Sequence, residues 1–120
     1  MPKPGENAVF IKLEFVKSFN YVAVDVHDTA VSKGWWEDER NGAEVIALMH
    51  SELSEALEAL RHDNPADDKV PDFNGVEAEL ADVIIRIMDY AVHENLRVAE
   101  ALIAKIEYNK TRPHKHGKKF

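Results

Sequence analysis

Two pairs of carboxylates in this sequence have types and spacing that suit metal chemistry. Glu52 and Glu55 stand three residues apart in the segment SELSE, and Glu79 and Asp82 stand three apart in ELAD. Residues three apart in a helix are neighbours on one face, where two like charges destabilise the helix by roughly 0.2–0.5 kcal/mol. Because a hard divalent cation bound by carboxylate oxygens offsets that repulsion, the two pairs are candidate ligands of one metal site.

The faces on which these pairs lie favour a metal site over an ordinary acidic surface. On a helical wheel of about 100° per residue, Glu52 falls inside an apolar arc and Glu55 falls at its edge. Glu79 and Asp82 belong to a charged seam along a segment that is otherwise apolar. A single pair usually lies on a solvated face and would indicate little. Since burial of unpaired carboxylates costs several kcal/mol each, two such pairs predict a bound cation.

The ligand set indicates which cation to expect. All-oxygen carboxylate sites suit Mg²⁺, Mn²⁺ or Ca²⁺. The di-iron sites of helical bundles use Glu-x-x-His motifs, and this sequence contains none. Mg²⁺ usually combines a few carboxylates with the phosphates of a substrate. The ligand set alone therefore leaves Mg²⁺, Mn²⁺ and Ca²⁺ open.

Four predicted helices position these side chains, and no segment predicts a strand. Apolar residues at helical spacing from Phe15 to Ala30 indicate a first helix that ends near Gly34. The second helix is expected over about 42–61 and the third over about 76–94, joined by the loop HDNPADDKVPDFNG. The fold class is therefore all-α, most simply a four-helix-bundle-like domain.

The ends of the third and fourth helices carry recognisable signals. Asn74 or Gly75 begins the third helix, and Asn95 is expected to be the N-cap of the fourth. The fourth helix is expected to end at about Thr111, because Pro113 cannot continue it without losing a hydrogen bond.

Composition excludes several classes of protein. The 120 residues fit one domain, 1–120, with a flexible leader over 1–8 and a basic tail over 113–120. The absence of cysteine excludes disulfides and thiolate chemistry. No apolar run approaches the roughly 20 residues that span a bilayer, and the start shows no signal peptide. We therefore expect a cytoplasmic protein that binds no membrane.

Charge is distributed unevenly along the chain. The net charge of −7 argues against a nucleic-acid polymer as the partner. Residues 97–120 contain seven bases and two acids, a net charge of +5, so residues 1–96 carry −12. Within the basic end, Lys105, Asn109 and Arg112 recur at a spacing that places them on one helical face. An acidic body with a basic end is a hint of function, although a weak one by itself.

Two segments in order, HSELSEALEALR and GVEAELADVIIRIMDYA, resemble the MazG-like all-α nucleoside triphosphate pyrophosphatase superfamily. The upstream KGWWEDER and the tail KIEYNKTRPHKHGKKF are similar to those of its small single-domain members, so the resemblance spans roughly 27–120. It implies a MazG-type domain that uses Mg²⁺ to cleave a nucleoside triphosphate to the monophosphate and pyrophosphate.

The resemblance also implies roles for individual carboxylates. Glu52, Glu55, Glu79 and Asp82 would be the metal ligands, and Glu52 or Glu55 would also be the general base that takes a proton from the attacking water. The family's motif often starts with two adjacent glutamates, whereas Ser51 holds the first place here. That departure leaves both pairs intact and leaves the identity of the base open.

Five further residues are expected to contact the substrate. Lys105 and Arg112 are expected to bind phosphate oxygens, and Asn109 the sugar or the base. His27 and Trp36 are expected to lie against the nucleobase, on which an aromatic ring can stack, while the preceding tryptophan belongs to the core. The competing interpretation makes the basic residues a solvated helix end and the tryptophans a plug of the bundle.

The expected activity is that of a nucleotide-pool house-cleaning pyrophosphohydrolase. One alternative is a hydrolase like phosphoribosyl-ATP pyrophosphatase, and another is a non-catalytic, Mg²⁺-binding helical dimerisation module. The tryptophan pair favours a standard nucleotide, and a silent module has no need to bury four acids. The apolar content of the first and third helices exceeds what one small bundle needs, so we expect a homodimer or a dimer of dimers.

Overall fold

The computed structural model describes residues 8–119, with the backbone alone for His116, and the chain in this range is helical apart from its loops. Its α-helices are α1 (Ala8–Ser32), α2 (Gly42–Arg61), α3 (Gly75–Glu94) and α4 (Val98–Lys110). A short 3-10 helix, His114–Gly117, follows in the basic tail. No β-strand occurs in residues 8–119, so the all-α prediction is confirmed.

The predicted leader lies outside the described residues except for Ala8, which already belongs to α1. None of the helices within the described range is long and apolar enough to cross a membrane.

The helix ends follow local side-chain chemistry. The N-cap side chains of α2 and α3 accept backbone hydrogen bonds, Asn41 from the N–H of Glu44 and Asn74 from that of Glu77. The side chain of Glu77 accepts in return from the backbone N–H of Asn74, which completes a capping box. Gly34 adopts a left-handed φ of 87° just after α1. The predicted starts of α2 and α3 are therefore confirmed.

The predicted role of Asn95 is wrong. Asn95 closes α3 with φ 56° and ψ 42°, and its backbone N–H donates to the carbonyl oxygens of Ala91 and Val92. Helix α4 begins after Arg97, whose side chain makes no capping hydrogen bond. Asparagine is favoured both as an N-cap and in the left-handed conformation that ends a helix, so the residue type alone does not distinguish the two roles.

Helix α3 lies at the centre of the fold. It packs against both α1 and α2, whereas α4 packs mainly against α1. The buried apolar residues are mostly small, and they are Ala23, Val45, Ala56, Met88, Ala91 and Ala99. Helix α3 therefore presents side chains to both α1 and α2.

A single chain leaves much apolar surface uncovered. No large side chain among the described residues is fully buried, and the Cα radius of gyration is 17.1 Å. A compact domain of this length has a radius of gyration of about 14 Å. The N-terminal half of α1 exposes a run of apolar side chains that includes Phe10, Ile11 and Leu13. The four helices of one chain thus do not bury the apolar surface that they present.

We predict that Gly75→Ala destabilises the fold by about 1–3 kcal/mol, because a Cβ at Gly75 would lie 2.9 Å from the Cβ of Ala59. Urea denaturation measures the loss. Ala59→Gly alone is expected to cost about 1 kcal/mol through helix propensity. In the double variant the clash disappears, so its loss should be smaller than the sum of the single losses; strict additivity would contradict the predicted contact.

Candidate metal centre and adjoining clefts

Three of the four predicted metal ligands meet between α2 and α3. Glu52, Glu55 and Glu79 each bring a carboxylate oxygen to within 4.8 Å of the others. Glu52 is 8% exposed and is the one buried charged residue within residues 8–119, as its place on the helical wheel predicts. Glu79 is half-buried and Glu55 is exposed. The cluster therefore opens from a buried floor at Glu52 to a solvent-facing rim at Glu55.

Glu79 contains the least satisfied polar atom of the cluster. Its Oε2 is buried without a hydrogen-bond partner. A carboxyl group in that position is either protonated and neutral, or ionised beside a cation. Burial, together with hydrogen bonds to Glu52 and Glu55, raises the pKa of Glu79 to about 8. The donor set is all oxygen, which is the chemistry that Mg²⁺ and Mn²⁺ prefer. The residues present thus fit a hard divalent cation.

Glu52 has a cationic partner in Arg86 of α3. Arg86 donates from Nε at 3.0 Å and from Nη2 at 2.8 Å, and both bonds go to Glu52 Oε1. Burial raises the pKa of Glu52, but hydrogen bonds from Glu79 and Arg86 outweigh it and hold that pKa below its ordinary value. Glu52 is therefore a charged carboxylate that keeps one oxygen, Oε2, outside the Arg86 pair.

Asp82 lies beside the three-glutamate cluster and is not part of it. Burial and then the negative charge of Glu52 raise the pKa of its carboxyl. Asp82 also lines two clefts, of about 310 Å³ and about 870 Å³, that share Glu52, Asp82 and Ile85. Both volumes are in the range of small-molecule sites. The two clefts meet at the carboxylates, which places Asp82 where a ligand in either cleft would approach the cluster.

The loop between α2 and α3 forms one wall of the larger cleft. It contributes His62, Asp67 and Lys69 to the lining. The carboxylate of Asp67 accepts hydrogen bonds from the backbone N–H groups of Lys69 and Val70, each at 2.9 Å. Lys69 therefore belongs to an internally braced turn and lines the same cleft as the three glutamates, and sequence reasoning did not single it out.

The predicted base-contacting residues His27 and Trp36 meet on a carboxylate of α3. His27 Nδ1 lies 2.7 Å from Asp89 Oδ1, and Trp36 Nε1 donates to Asp89 Oδ1 at 2.9 Å. The Trp36 ring stacks on His93 with centroids 3.6 Å apart and planes 9° apart. The Arg40 guanidinium carbon lies 4.8 Å from the Trp36 centroid. These contacts hold Trp36 in a packed position.

Trp35 is not the core residue that the sequence predicted. It is 52% exposed, whereas Trp36 is half-buried. Trp35 lines the smaller cleft together with Lys33 and Arg86, and the Arg86 guanidinium lies 5.7 Å from its ring centroid. Trp36 is the less exposed of the two because its indole is hydrogen-bonded to Asp89, whereas the Trp35 ring lies beside the cleft.

The structure does not bring the three α4 residues to the carboxylates of the same chain. Lys105 and Arg112 lie 5.8 Å and 5.7 Å from the ring centroid of Tyr108. Neither they nor Asn109 line the two clefts at the cluster. Their expected role in phosphate binding therefore stays a prediction, and within one chain Lys33, Lys69 and Arg86 are the cations at the clefts.

Arg86 and Asp89 are site residues that motif spacing alone missed. Both continue the charged seam of α3 beyond Asp82, at steps of four and three residues. Helical periodicity shows that the seam occupies one face. Which partner each member meets depends on α1 and α2, whose side chains lie 34 to 62 residues away in sequence.

No protein-family model, curated protein or solved structure matches this chain. The geometry of the site and the sequence motifs therefore carry the functional argument.

The raised pKa of Glu79 makes the stability of the metal-free protein depend on pH. Between the unfolded value of 4.5 and about 8, the folded state binds more protons than the unfolded state, so the free energy of unfolding falls as pH rises through that window. Glu79→Gln keeps the shape and removes the titration. We expect the variant to gain stability relative to wild type from pH 5 to pH 8, by urea denaturation in chelator. A pH-independent difference would contradict the assignment.

Proposed function

We propose that this chain is a MazG-type, Mg²⁺-dependent nucleoside triphosphate pyrophosphohydrolase that cleaves (d)NTP to (d)NMP and pyrophosphate in nucleotide-pool house-cleaning. The observation that carries the proposal is the buried, unpartnered Oε2 of Glu79 within a three-glutamate cluster at the junction of two clefts. A cytoplasmic location and a homodimer or dimer of dimers belong to the same proposal.

Each carboxylate has a distinct part in holding the cation. Glu52, Glu55 and Glu79 would bind Mg²⁺, or Mn²⁺ in its place, and Asp82 would join them from the edge of the cluster. When bound, the cation supplies charge neutralisation for the phosphates and orients them for in-line attack. Binding replaces the proton of Glu79, since the carboxylate must be ionised to act as a ligand.

The environments of the two candidate bases favour Glu55. Glu52 is buried, its pKa is lowered, and Arg86 occupies one of its oxygens, so Glu52 is a poor proton acceptor. Glu55 lies at the exposed rim, where water has access. In the proposed step, a water oxygen bonds to the α-phosphorus, its proton passes to Glu55, and the bond from that phosphorus to the bridging oxygen breaks. Pyrophosphate leaves with the electron pair.

The remaining substrate contacts divide between the clefts. Lys69 in the larger cleft and Lys33 in the smaller cleft are cations positioned to meet phosphate oxygens. We propose that the nucleobase enters the smaller cleft, stacks on the exposed ring of Trp35, and meets His27 and Trp36 beside it.

The first test is product analysis with purified protein, Mg²⁺ and a panel of NTPs and dNTPs. We expect pyrophosphate and the monophosphate, and no orthophosphate. Glu52→Gln, Glu79→Gln and Asp82→Asn should each lower kcat/KM by at least about 100-fold, because each removes charge from the metal site. The control Glu100→Gln makes the same carboxylate-to-amide change at an exposed position on α4 and should retain wild-type activity.

Metal binding is measured independently of turnover by Mn²⁺ electron paramagnetic resonance. Wild type and Glu100→Gln should bind the ion, and Glu79→Gln should not. Orthophosphate as the product would refute α–β cleavage, whereas metal binding without any turnover would support the non-catalytic module instead.

A second test asks whether the α4 cations act on a neighbouring chain. Arg112→Ala and Glu52→Gln should each be nearly inactive alone. When the two variants are co-expressed, each mixed dimer contains one intact site, formed by α4 of one copy and the carboxylates of the other. Because about half of the dimers are mixed, about a quarter of wild-type activity should return. No recovery, or a monomer by light scattering, would contradict a shared site.

A further inference from the structure

Asp89 lies in the site, but the proposed chemistry gives it no role. It lies on α3 three residues beyond Arg86 and forms part of the wall of the smaller cleft. Its side chain is 13% exposed and meets His27 Nδ1 at 2.7 Å from Oδ1. Trp36 Nε1 lies 2.9 Å from Oδ1 and 3.1 Å from Oδ2. A carboxylate buried to this degree requires such partners.

The hydrogen-bonding capacities of these groups fix where the protons lie. An ionised carboxylate only accepts, and the indole Nε1 of Trp36 only donates. The short contact between Asp89 and His27 therefore requires a proton on His27 Nδ1. The hydrogen bond made by one ring nitrogen sets the character of the other, so Asp89 determines what His27 Nε2 offers to a ligand.

The same carboxylate sets the orientation of a group of three rings. Trp36 is held flat on His93. The ring centroid of His27 lies 6.1 Å from that of Trp36 and 5.7 Å from that of His93. Because one Asp89 oxygen bonds both His27 and Trp36, the two rings cannot turn independently of each other.

We propose that Asp89 is a positioning residue for nucleobase recognition: it holds the proton of His27 on Nδ1 and locks the Trp36 indole, so that the two rings present a fixed edge to the base. This inference rests on the proposed function. It assigns base selectivity to a carboxylate that does not bind the metal and does not touch the phosphates.

Asparagine at this position tests the inference, because the amide removes the negative charge and one of the two acceptor oxygens that Trp36 contacts. With Nδ2 in the place of Oδ2, Oδ1 still accepts from both rings, but the amide donor then lies about 3.1 Å from the donor Nε1 of Trp36. With Nδ2 in the place of Oδ1, the amide faces the donors of both His27 and Trp36, and His27 relieves the conflict only by moving its proton to Nε2. Either result disturbs the edge that His27 and Trp36 present to the base, while the size and shape of the side chain at position 89 stay the same.

The experiment compares wild type, Asp89→Asn and the control Asp25→Asn, which makes the same change at an exposed position on α1. Steady-state kinetics with four dNTPs should show KM raised about 10- to 100-fold in Asp89→Asn, with kcat nearly unchanged and altered ratios of kcat/KM among the four bases. Inhibition by inorganic tripolyphosphate, which has no base, should stay at the wild-type level. Asp25→Asn should match wild type throughout.

A measurement on the wild type keeps the test independent of how Asp89→Asn folds. Nitrogen-15 NMR, assigned with His27→Gln, should show His27 protonated at Nδ1; an unprotonated Nδ1 overturns the proposal. Equal losses for all four bases and for tripolyphosphate would also overturn it, since they indicate general structural damage.

The outcomes separate this inference from the proposed function. If wild type binds dNTPs in calorimetry but hydrolyses none, the proposed function fails, and the affinities of Asp89→Asn for the four dNTPs then decide the role of Asp89. If turnover occurs and Asp89→Asn keeps the wild-type base ratios, the inference alone fails. A wild type that neither binds nor hydrolyses nucleotides overturns both.

Discussion

The cost of burying carboxylates between α2 and α3 is the constraint on which the rest of the site depends. Glu52 lies in the core with its charge, and Arg86 balances it through two hydrogen bonds to one oxygen. Glu79 has no such partner: its Oε2 is buried without a hydrogen bond, and burial together with hydrogen bonds to Glu52 and Glu55 raises the pKa of its carboxyl to about 8. Arg86 thus offsets one negative charge and leaves the cluster short of positive charge. A proton on Glu79 relieves the repulsion within the cluster, and the all-oxygen donor set fits the divalent cation of the proposed function.

Helix α3 organises the site because its charged seam meets side chains of both α2 and α1. Glu79 faces the α2 glutamates, Arg86 reaches back to Glu52, and Asp89 bonds His27 of α1. Successive members of a seam spaced by three or four residues remain on one face. On the proposed function, the metal-ligand candidates Glu79 and Asp82 and the positioning residue Asp89 therefore lie along one helix about two to three turns apart, and a shift of α3 would disturb both regions.

Much of the fold was predictable from sequence because its determinants are local. Asparagine caps, helical periodicity and proline gave the bounds of α2, α3 and α4 to within a few residues, and the helical wheel placed Glu52 in the core. Asn95 was misassigned because one residue type serves both ends of a helix. The roles of Trp35 and Trp36 depended on Asp89, which is 53 residues from Trp36, so no local pattern could assign them.

The uneven charge of the sequence is divided between different parts of the fold. The acidic cluster lies between α2 and α3, whereas α4 packs mainly on α1 with Lys105 and Arg112 against Tyr108. The same chain exposes apolar side chains along α1 and has a radius of gyration of 17.1 Å, well above that of a compact domain of its length. Association of two copies through such surfaces would bury apolar area and allow the basic end of one chain to approach the acids of another. A site completed by a second copy of the chain, as the proposed function expects, would account for both the exposed apolar surface and the separated charges.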